Sequence, residues 1–143
     1  MKLPSPRKII AEKYVAGLSL FKSIRSPIKL SANESALGPS PKAVKSYNSI
    51  GKGFVRYPDS DGTFFRKVLG KKFRLDSNRI ILGSGSDQIF ELVCKLFLNK
   101  GDEVVVTQFS FIIYRIYSRM CGATVKFAKE ENFTPSVQSI LDC

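Results

Sequence analysis

Short apolar segments alternate with longer segments of helical periodicity through the second half of the chain. The short segments show little alternation between apolar and polar positions, which is typical of strands covered on both faces. The predicted strands are residues 79–82, 103–107 and 124–128. The predicted helices are residues 87–98, 110–120 and 135–141. Because strands and helices alternate at regular intervals, the pattern predicts a parallel sheet with right-handed crossovers.

The first part of the chain contains fewer regular elements. The pattern allows one short helix near the start, over residues 7–15. Ser40-Pro41 has the sequence of an N-cap followed by a first helical residue, and Asp61-Gly62-Thr63 precedes apolar residues at spacings of three and four. These signals predict helices in residues 41–50 and 63–73. The expected domains are an N-terminal arm in residues 1–29 and an α/β domain in residues 30–143.

The chain is strongly basic, with a net charge of +11. Residues 1–29 carry seven Lys and Arg against the single acid Glu12, a balance of 7 − 1 = +6. Elsewhere the charges are dispersed and form no basic stripe interleaved with aromatics, so we expect no nucleic-acid partner. Pro4 and Pro6 interrupt the amphipathic helix that an organellar presequence needs. No apolar run reaches the roughly 18 residues that cross a bilayer, so we expect no membrane partner.

The number and spacing of the cysteines and the absence of histidine limit the kinds of catalytic and metal site that these residues can form. Cys94, Cys121 and Cys143 are odd in number and show no CxxC spacing, which indicates reduced thiols in a cytoplasmic protein. The chain contains no histidine. This excludes Ser–His and Cys–His nucleophilic machinery and histidine-based metal sites from these residues, and we expect no metal.

The stretch Gly83-Ser84-Gly85-Ser86-Asp87 is the strongest local indication of a binding site. It lies between a predicted strand and the start of a predicted helix, where free backbone N–H groups and the helix dipole can hold a phosphate. It completes neither the dinucleotide-binding fingerprint nor the P-loop. The alternative interpretation is that Ser86 and Asp87 only cap the helix.

Five short motifs follow one another along the chain. They are Asn33-Glu34 with Leu37-Gly38-Pro39-Ser40-Pro41, Arg56-Tyr57-Pro58-Asp59 with Asp61-Gly62, Gly83-Ser84-Gly85-Ser86-Asp87, Gly101-Asp102-Glu103-Val104, and Phe111 with Tyr114. In order and spacing they resemble the histidinol-phosphate aminotransferases, as does Tyr14-Val15-Ala16-Gly17. The resemblance covers nearly the whole chain. It implies the fold of type I pyridoxal-phosphate enzymes: a partial three-layer αβα large domain with a mainly parallel sheet, preceded by the arm and truncated.

The resemblance also implies roles for individual residues. Gly85, Ser86 and Asp87 match the turn whose backbone amides hold the phosphate of the cofactor, pyridoxal 5'-phosphate. Phe111 matches the aromatic residue that stacks on the pyridine ring. Tyr57 matches the tyrosine that reaches the cofactor phosphate of the other subunit, which implies a homodimer.

The implied substrates are a small amino donor and a 2-oxo acid. The donor is histidinol phosphate or an aromatic amino acid, and the amino group passes to or from 2-oxoglutarate or glutamate. The substrate-binding loop matches residues Asn33, Glu34, Leu37 and Gly38.

The chain departs from the family pattern in three places and is expected to be incomplete. Ser35-Ala36 replaces Asn-Pro in the substrate loop, Gln88 replaces a glutamate after the phosphate turn, and Phe109 replaces a proline before the stacking aromatic. The Schiff-base lysine is expected beyond residue 143, so no catalytic residue is assigned and this chain alone is expected to be inactive. The alternative is a non-catalytic remnant that holds an anion or docks on a full-length relative.

Overall fold

The computed structural model describes residues 9, 11–15 and 28–143. They fall into two compact units, one formed by Val15–Leu82 and the other by Gly83–Cys143 with Met1–Tyr14. The helix predicted over residues 7–15 is only partly testable, because residues 7, 8 and 10 lie outside the described residues. Residues 11–15 are not helical, so the prediction is wrong for them.

In the unit Val15–Leu82, two helices form where the cap and periodicity signals predict them. Helix α1 spans Pro41–Ser49 and begins at the proline, and a 3-10 turn follows at Gly51–Val55. Helix α2 spans Thr63–Phe73. Asp59 fixes the start of α2, because its carboxylate accepts hydrogen bonds from the N–H groups of Asp61 and Phe64 at 3.3 and 3.1 Å. The prediction of both helices is confirmed.

The glycine before α2 is required by its conformation. Gly62 has φ of +58°, in the left-handed region, where a side chain is unfavourable. A Cβ at this position would also collide with the side chain of Leu82. Local structure therefore explains the Asp61-Gly62 pair. This explanation is independent of any role of Tyr57, which belongs to the same motif.

The strand predicted over residues 79–82 does not form. Ser77–Arg79 is a 3-10 turn started by Asp76, whose carboxylate accepts a hydrogen bond from Asn78 N–H at 2.9 Å. Ile80 has extended backbone angles, φ −106° and ψ 124°, but within the described part of the chain no strand pairs with this segment. Ile81 is 73% exposed. An apolar extended run becomes a strand only when a neighbour completes its ladder.

The other unit is an α/β arrangement of alternating helices and strands. Helix α3 spans Gly85–Phe97, strand β1 Glu103–Thr107, helix α4 Ile112–Met120 and strand β2 Thr124–Ala128. Strands β1 and β2 pair in parallel, from Glu103 opposite Thr124 to Thr107 opposite Ala128. The predicted parallel sheet is confirmed with two strands instead of three. The two helices are confirmed with small shifts at their N-terminal ends.

The chain continues with a short hairpin and a last helix. Strands β3, Glu130–Glu131, and β4, Thr134–Pro135, pair in antiparallel fashion, joined by Asn132 and Phe133, both with positive φ. This conformation is that of a tight hairpin turn. Helix α5 spans Val137–Leu141. It begins two residues later than predicted, because Pro135 belongs to β4.

A small core lies between α4 and the parallel sheet. Its buried hydrophobic residues in the described part of the chain are Val106, Ile113, Ala123 and Ala128. Ser118 is 1% exposed, and its hydroxyl donates to the carbonyl of Tyr114 at 2.7 Å. The Arg115 guanidinium of α4 lies 5.8 Å from the centroid of the Phe127 ring of β2. Among the described residues, no helix combines the length and apolarity that crossing a bilayer requires.

Candidate cofactor-phosphate site

The glycine turn forms the N-terminus of α3. Ser84 occupies the N-cap position, and its own side chain makes no capping hydrogen bond to the first turn of the helix. The Gly85 N–H donates to the carbonyl of Gly83 at 2.9 Å. The first N–H groups of a helix have no acceptor within it, so Ser86 and Asp87 leave theirs available to an external one. The capping by Ser86 and Asp87 that the local alternative requires is not the geometry observed.

Gly85 leaves open space at this helix end. Its φ is +77°, and apart from its chain neighbours and the backbone of its own helix no described atom lies within 4 Å of the position that a Cβ would take. Gly85 and Ser86 are exposed, and Asp87 is half-buried. An anion can therefore reach the backbone directly, where unpaired N–H groups and the positive end of the helix dipole coincide.

Gln88 holds the turn in place. Its side-chain Oε1 accepts a hydrogen bond from Ser84 N–H at 2.6 Å. This resembles one half of a capping box, in which a glutamate or glutamine reaches back to the N-cap. A glutamine makes that bond without adding a negative charge beside a site for an anion. The departure from the family's glutamate therefore keeps the geometry of the turn.

Phe111 occupies the N-cap position of α4, at the end of the turn that follows β1. Its ring makes edge-to-face contacts with Tyr14 and Tyr114, both at 6.3 Å between ring centroids. Tyr114 in turn packs edge-to-face on Phe90 of α3 at 4.6 Å. Phe111 is 45% exposed, so part of its surface stays available. The aromatic contacts link the predicted stacking residue to the helix that begins at the glycine turn.

Tyr14 is a neighbour of Phe111 that the sequence analysis did not predict. Tyr14 was noted there only as part of the segment Tyr14-Val15-Ala16-Gly17, which resembles the family's early segment. Glu12 anchors this part of the arm on α4, with ion pairs to Arg119 and, at 3.6 Å, to Arg115. The hydrogen bond from the Arg119 guanidinium holds the pKa of the Glu12 carboxyl below its usual value. The distribution of charges along the sequence did not predict these ion pairs.

Phe109 has a local role that a proline cannot fill. Its N–H donates to the Glu130 carboxylate at 3.1 Å, and proline has no N–H. Its ring packs on Phe133 of the β3–β4 hairpin, with 5.0 Å between centroids. The bulky residue therefore tethers the turn before Phe111 to the hairpin.

The remaining predicted site residues belong to the unit Val15–Leu82. Tyr57 is fully exposed. Asn33, Glu34, Leu37 and Gly38 lie on an exposed loop, in which Gly38 N–H donates to the Ser35 carbonyl at 3.1 Å. Gly38 has φ of +70°. The loop thus forms a turn even though Ser35-Ala36 stands where the family has Asn-Pro.

Curated relatives share this sequence over almost all of its length. A family model described as aminotransferase class I and II matches residues 25–142. The chain is 45% identical to a histidinol-phosphate aminotransferase of Pelagibacter ubique over 141 residues, which are 99% of this chain and 39% of the relative. It is 38% identical to that of Paramagnetospirillum magneticum, with the same coverage. The chain therefore spans about 39% of the length of these relatives.

Solved structures share the fold. The crystal structure of histidinol-phosphate aminotransferase from Sinorhizobium meliloti, in complex with pyridoxal-5'-phosphate, superposes with a TM-score of 0.74 at 18% identity, covering 78% of this chain and 30% of that one. Aspartate aminotransferase from Thermotoga maritima superposes with a TM-score of 0.63 at 24% identity, covering 80% and 34%. The α/β fold with a parallel sheet is confirmed as that of part of an aminotransferase. The chain belongs to the class I and II aminotransferase family, and it is similar in sequence to the histidinol-phosphate aminotransferases.

Proposed function

We propose that this chain supplies the phosphate-binding part of a pyridoxal-phosphate-dependent aminotransferase. The whole enzyme transfers an amino group between histidinol phosphate, or an aromatic amino acid, and 2-oxoglutarate or glutamate. The uncapped N-terminus of α3 at Gly85 carries the proposal, in a chain 45% identical to a histidinol-phosphate aminotransferase. The three cysteines are free thiols, which supports a cytoplasmic location.

The first turn of α3 fits the cofactor phosphate. The backbone N–H groups of Ser86 and Asp87 donate to the phosphate oxygens, and the helix dipole favours the negative charge. The Ser86 hydroxyl is a further donor. Gly85 lets the phosphate approach the backbone, because the space beside its Cα is open.

Phe111 fits one face of the pyridine ring. Its own ring is held at the edges by Tyr14 and Tyr114, so its plane is fixed before the cofactor arrives, and stacking adds roughly 1 kcal/mol beyond burial. When bound, pyridoxal phosphate supplies the electron sink that transamination requires. The chain's own contribution is to fix the position of the phosphate and the plane of the ring.

The exposed residues of the unit Val15–Leu82 suit contacts outside this chain. The fully exposed Tyr57 hydroxyl is available to reach the cofactor phosphate of a second subunit in a homodimer. Tyr47 and Phe54 pack together at 5.6 Å between centroids and remain largely exposed, as does Val55. Exposed apolar groups of this kind mark protein contact surfaces. The loop that contains Asn33, Glu34, Leu37 and Gly38 closes over the substrate in this proposal.

The second candidate function is a non-catalytic protein that only holds an anion or docks on a full-length relative. The chain spans about 39% of its relatives, and the α3 N-terminus is open nonetheless. The first candidate and the anion-holding form of the second both predict phosphate binding. Only the first predicts that cofactor and substrates turn over once the remaining part of the enzyme is present.

The experiment is a titration of the chain with inorganic phosphate and with pyridoxal phosphate, followed by amide NMR. The signals of Gly85, Ser86 and Asp87 are expected to shift most. Gly85→Ala strains a backbone with φ of +77° and is expected to weaken phosphate binding about tenfold, a change of about 1.4 kcal/mol.

The matched control is Gly101→Ala. Gly101 has φ of +100°, equally open surroundings and a place in the same unit, but it lies before β1. Phosphate affinity is expected to stay unchanged in this variant. Equal losses in the two variants, or shifts confined to the lysine-rich residues 1–29, would show general charge binding instead of a site.

A further inference from the structure

An acidic residue of the arm lies between two arginines of α4. The Glu12 carboxylate forms an ion pair with the Arg119 guanidinium, and its Oε1 lies 3.6 Å from Arg115 Nε. The three side chains are only 26% to 35% exposed. We call these three residues the ion-pair cluster. The proposed phosphate site uses none of them.

The ion-pair cluster has a cost in free energy. Glu12 Oε2 and Arg115 Nε are buried, and neither makes a hydrogen bond within the described part of the chain. Buried polar atoms without a partner are destabilising, and charges removed from water lose their hydration. The cluster is therefore better suited to selecting one position of the arm than to raising the stability of the fold.

The two arginines lie on the same face of α4 as Phe111. Residues four apart follow one another along one face of a helix, so Phe111, Arg115 and Arg119 form a row. One helical turn separates Arg115 from Phe111 by about 6 Å. The two steps of backbone from Glu12 to Tyr14 span at most about 7 Å when extended. The arm therefore has little slack between the ion-pair cluster and the Phe111 ring.

The Phe111 ring has one support within its own helix and one from the arm. Tyr114, three residues later on α4, contacts the ring edge-to-face with an interplanar angle of 90°. Tyr14 makes the second edge-to-face contact with an interplanar angle of 86°. The first support is present whenever α4 is formed, whereas the second exists only while the arm is in place. The position of the arm therefore limits the orientations that the Phe111 ring adopts.

Arg115 connects the ion-pair cluster to the parallel sheet. Its guanidinium lies over the Phe127 ring of β2, 5.8 Å from the centroid, which is the geometry of a cation–π contact. Strand β2 pairs along its whole length with β1, and β1 leads into the turn before Phe111. The arm is thus fastened to the same sheet that carries the ring site.

We propose that Glu12 is a positioning residue for the cofactor ring. By pairing with Arg115 and Arg119 it fixes the arm along α4, and the arm holds Tyr14 against Phe111 so that the Phe111 ring stays in the plane that stacks on the pyridine. The inference rests on the proposed function and adds a residue outside the motifs that carry the family resemblance. It predicts that the charge of Glu12 affects binding of the cofactor ring and not binding of the phosphate.

The first test needs no ligand. A nuclear Overhauser effect between the Tyr14 and Phe111 rings is expected in the unaltered chain and is expected to be lost in Glu12→Gln. Glu91→Gln removes the same charge from an ion pair within α3 and is expected to keep the signal. A signal that persists in Glu12→Gln would overturn the proposal, whether or not the chain binds phosphate.

The second test separates the ring from the phosphate. The chain is titrated with inorganic phosphate and with pyridoxine 5'-phosphate, which has the ring and phosphate of the cofactor but no aldehyde to react with lysines. Glu12→Gln is expected to bind pyridoxine phosphate about fivefold more weakly, the size of a stacking contribution, and inorganic phosphate as before. Equal losses for both ligands would overturn the proposal by showing a merely structural role. A lack of phosphate-induced shifts at Gly85, Ser86 and Asp87 would instead contradict the proposed function.

A third variant keeps the test decisive if Glu12→Gln disturbs folding. Tyr14→Ala removes the ring contact but leaves the ion-pair cluster in place, and it is expected to weaken pyridoxine phosphate binding by the same factor of about five. Because both changes act through one contact, the double variant is expected to lose about fivefold and not about 25-fold. Additive losses, or a Tyr14→Ala variant that binds pyridoxine phosphate like the unaltered chain, would overturn the proposal.

Discussion

At the scale of single residues, the chain's departures from the family pattern have local explanations. Gln88 replaces a glutamate yet bonds to Ser84 N–H, and Phe109 replaces a proline yet uses the N–H that proline lacks. Gln88 makes a hydrogen bond that a glutamate could also accept, and Phe109 makes one that a proline could not donate. These departures therefore do not weaken the assignment of the site.

Glu12 makes the anchoring of the arm dependent on pH. The Arg119 hydrogen bond lowers the pKa of its carboxyl in the folded chain. Stabilisation by a carboxyl with a depressed pKa is fully present above its ordinary value, about 4.3, and is lost as the pH falls through the lower folded value. The Phe111 ring lies against the Tyr14 ring and perturbs its NMR chemical shifts. We expect this perturbation to disappear only in acid, when the arm is released.

Glu12→Gln is expected to remove this acid transition and to release Tyr14 already at neutral pH. Glu91→Gln is the control, because Glu91 pairs with Lys95 at 2.5 Å within α3 and makes no ion pair with the arm residues that the structure describes. An acid transition that persists in Glu12→Gln would assign it to another group.

At the scale of elements, local sequence signals predicted the helices correctly. They predicted a strand wrongly where its formation depended on pairing with a neighbouring strand. Pro41 and Gly62 set the starts of α1 and α2 because each acts on its own backbone. The strand over residues 79–82 required a neighbour, which the apolar pattern does not encode. The edge-to-face contact of Tyr14 with Phe111 joins residues far apart in sequence, and neither the apolar pattern nor the family resemblance predicted it.

The β3–β4 hairpin is expected to depend on Phe109. Phe109→Pro removes both the hydrogen bond to Glu130 and the ring contact with Phe133, and is expected to lower the free energy of unfolding by about 1 kcal/mol. Urea denaturation measures this, and hydrogen exchange locates it in the hairpin. Phe109→Ala keeps the N–H and loses only the ring contact, so it is expected to lose less; equal losses in the two variants would show that the ring, and not the hydrogen bond, holds the hairpin.

At the scale of the whole molecule, the chain by itself is expected to have no transaminase activity. The lysine that bonds to the cofactor is expected outside these residues, and the loss of positioned acid–base catalysis alone costs about 10²- to 10⁴-fold. Turnover of histidinol phosphate with pyridoxal phosphate and 2-oxoglutarate is therefore expected at the rate of the free cofactor.

Borohydride reduction followed by mass spectrometry checks the reason for this inactivity. Labelling should be weak and spread over many lysines. A stoichiometric adduct on a single lysine, together with turnover above the free-cofactor rate, would show that a lysine of this chain acts as the Schiff-base lysine. Adding the remaining part of the relative provides the positive control.

The small core has a thermodynamic consequence for the chain in isolation. Many of its large hydrophobic side chains, such as Leu37, Phe64 and Phe97, are already exposed in the folded state. Unfolding then uncovers little additional apolar area, and the heat-capacity change and the denaturant dependence of unfolding both scale with that area. The chain is therefore expected to melt over a wide range of temperature in a calorimetric scan, and to gain a steep, cooperative transition when a partner covers these surfaces.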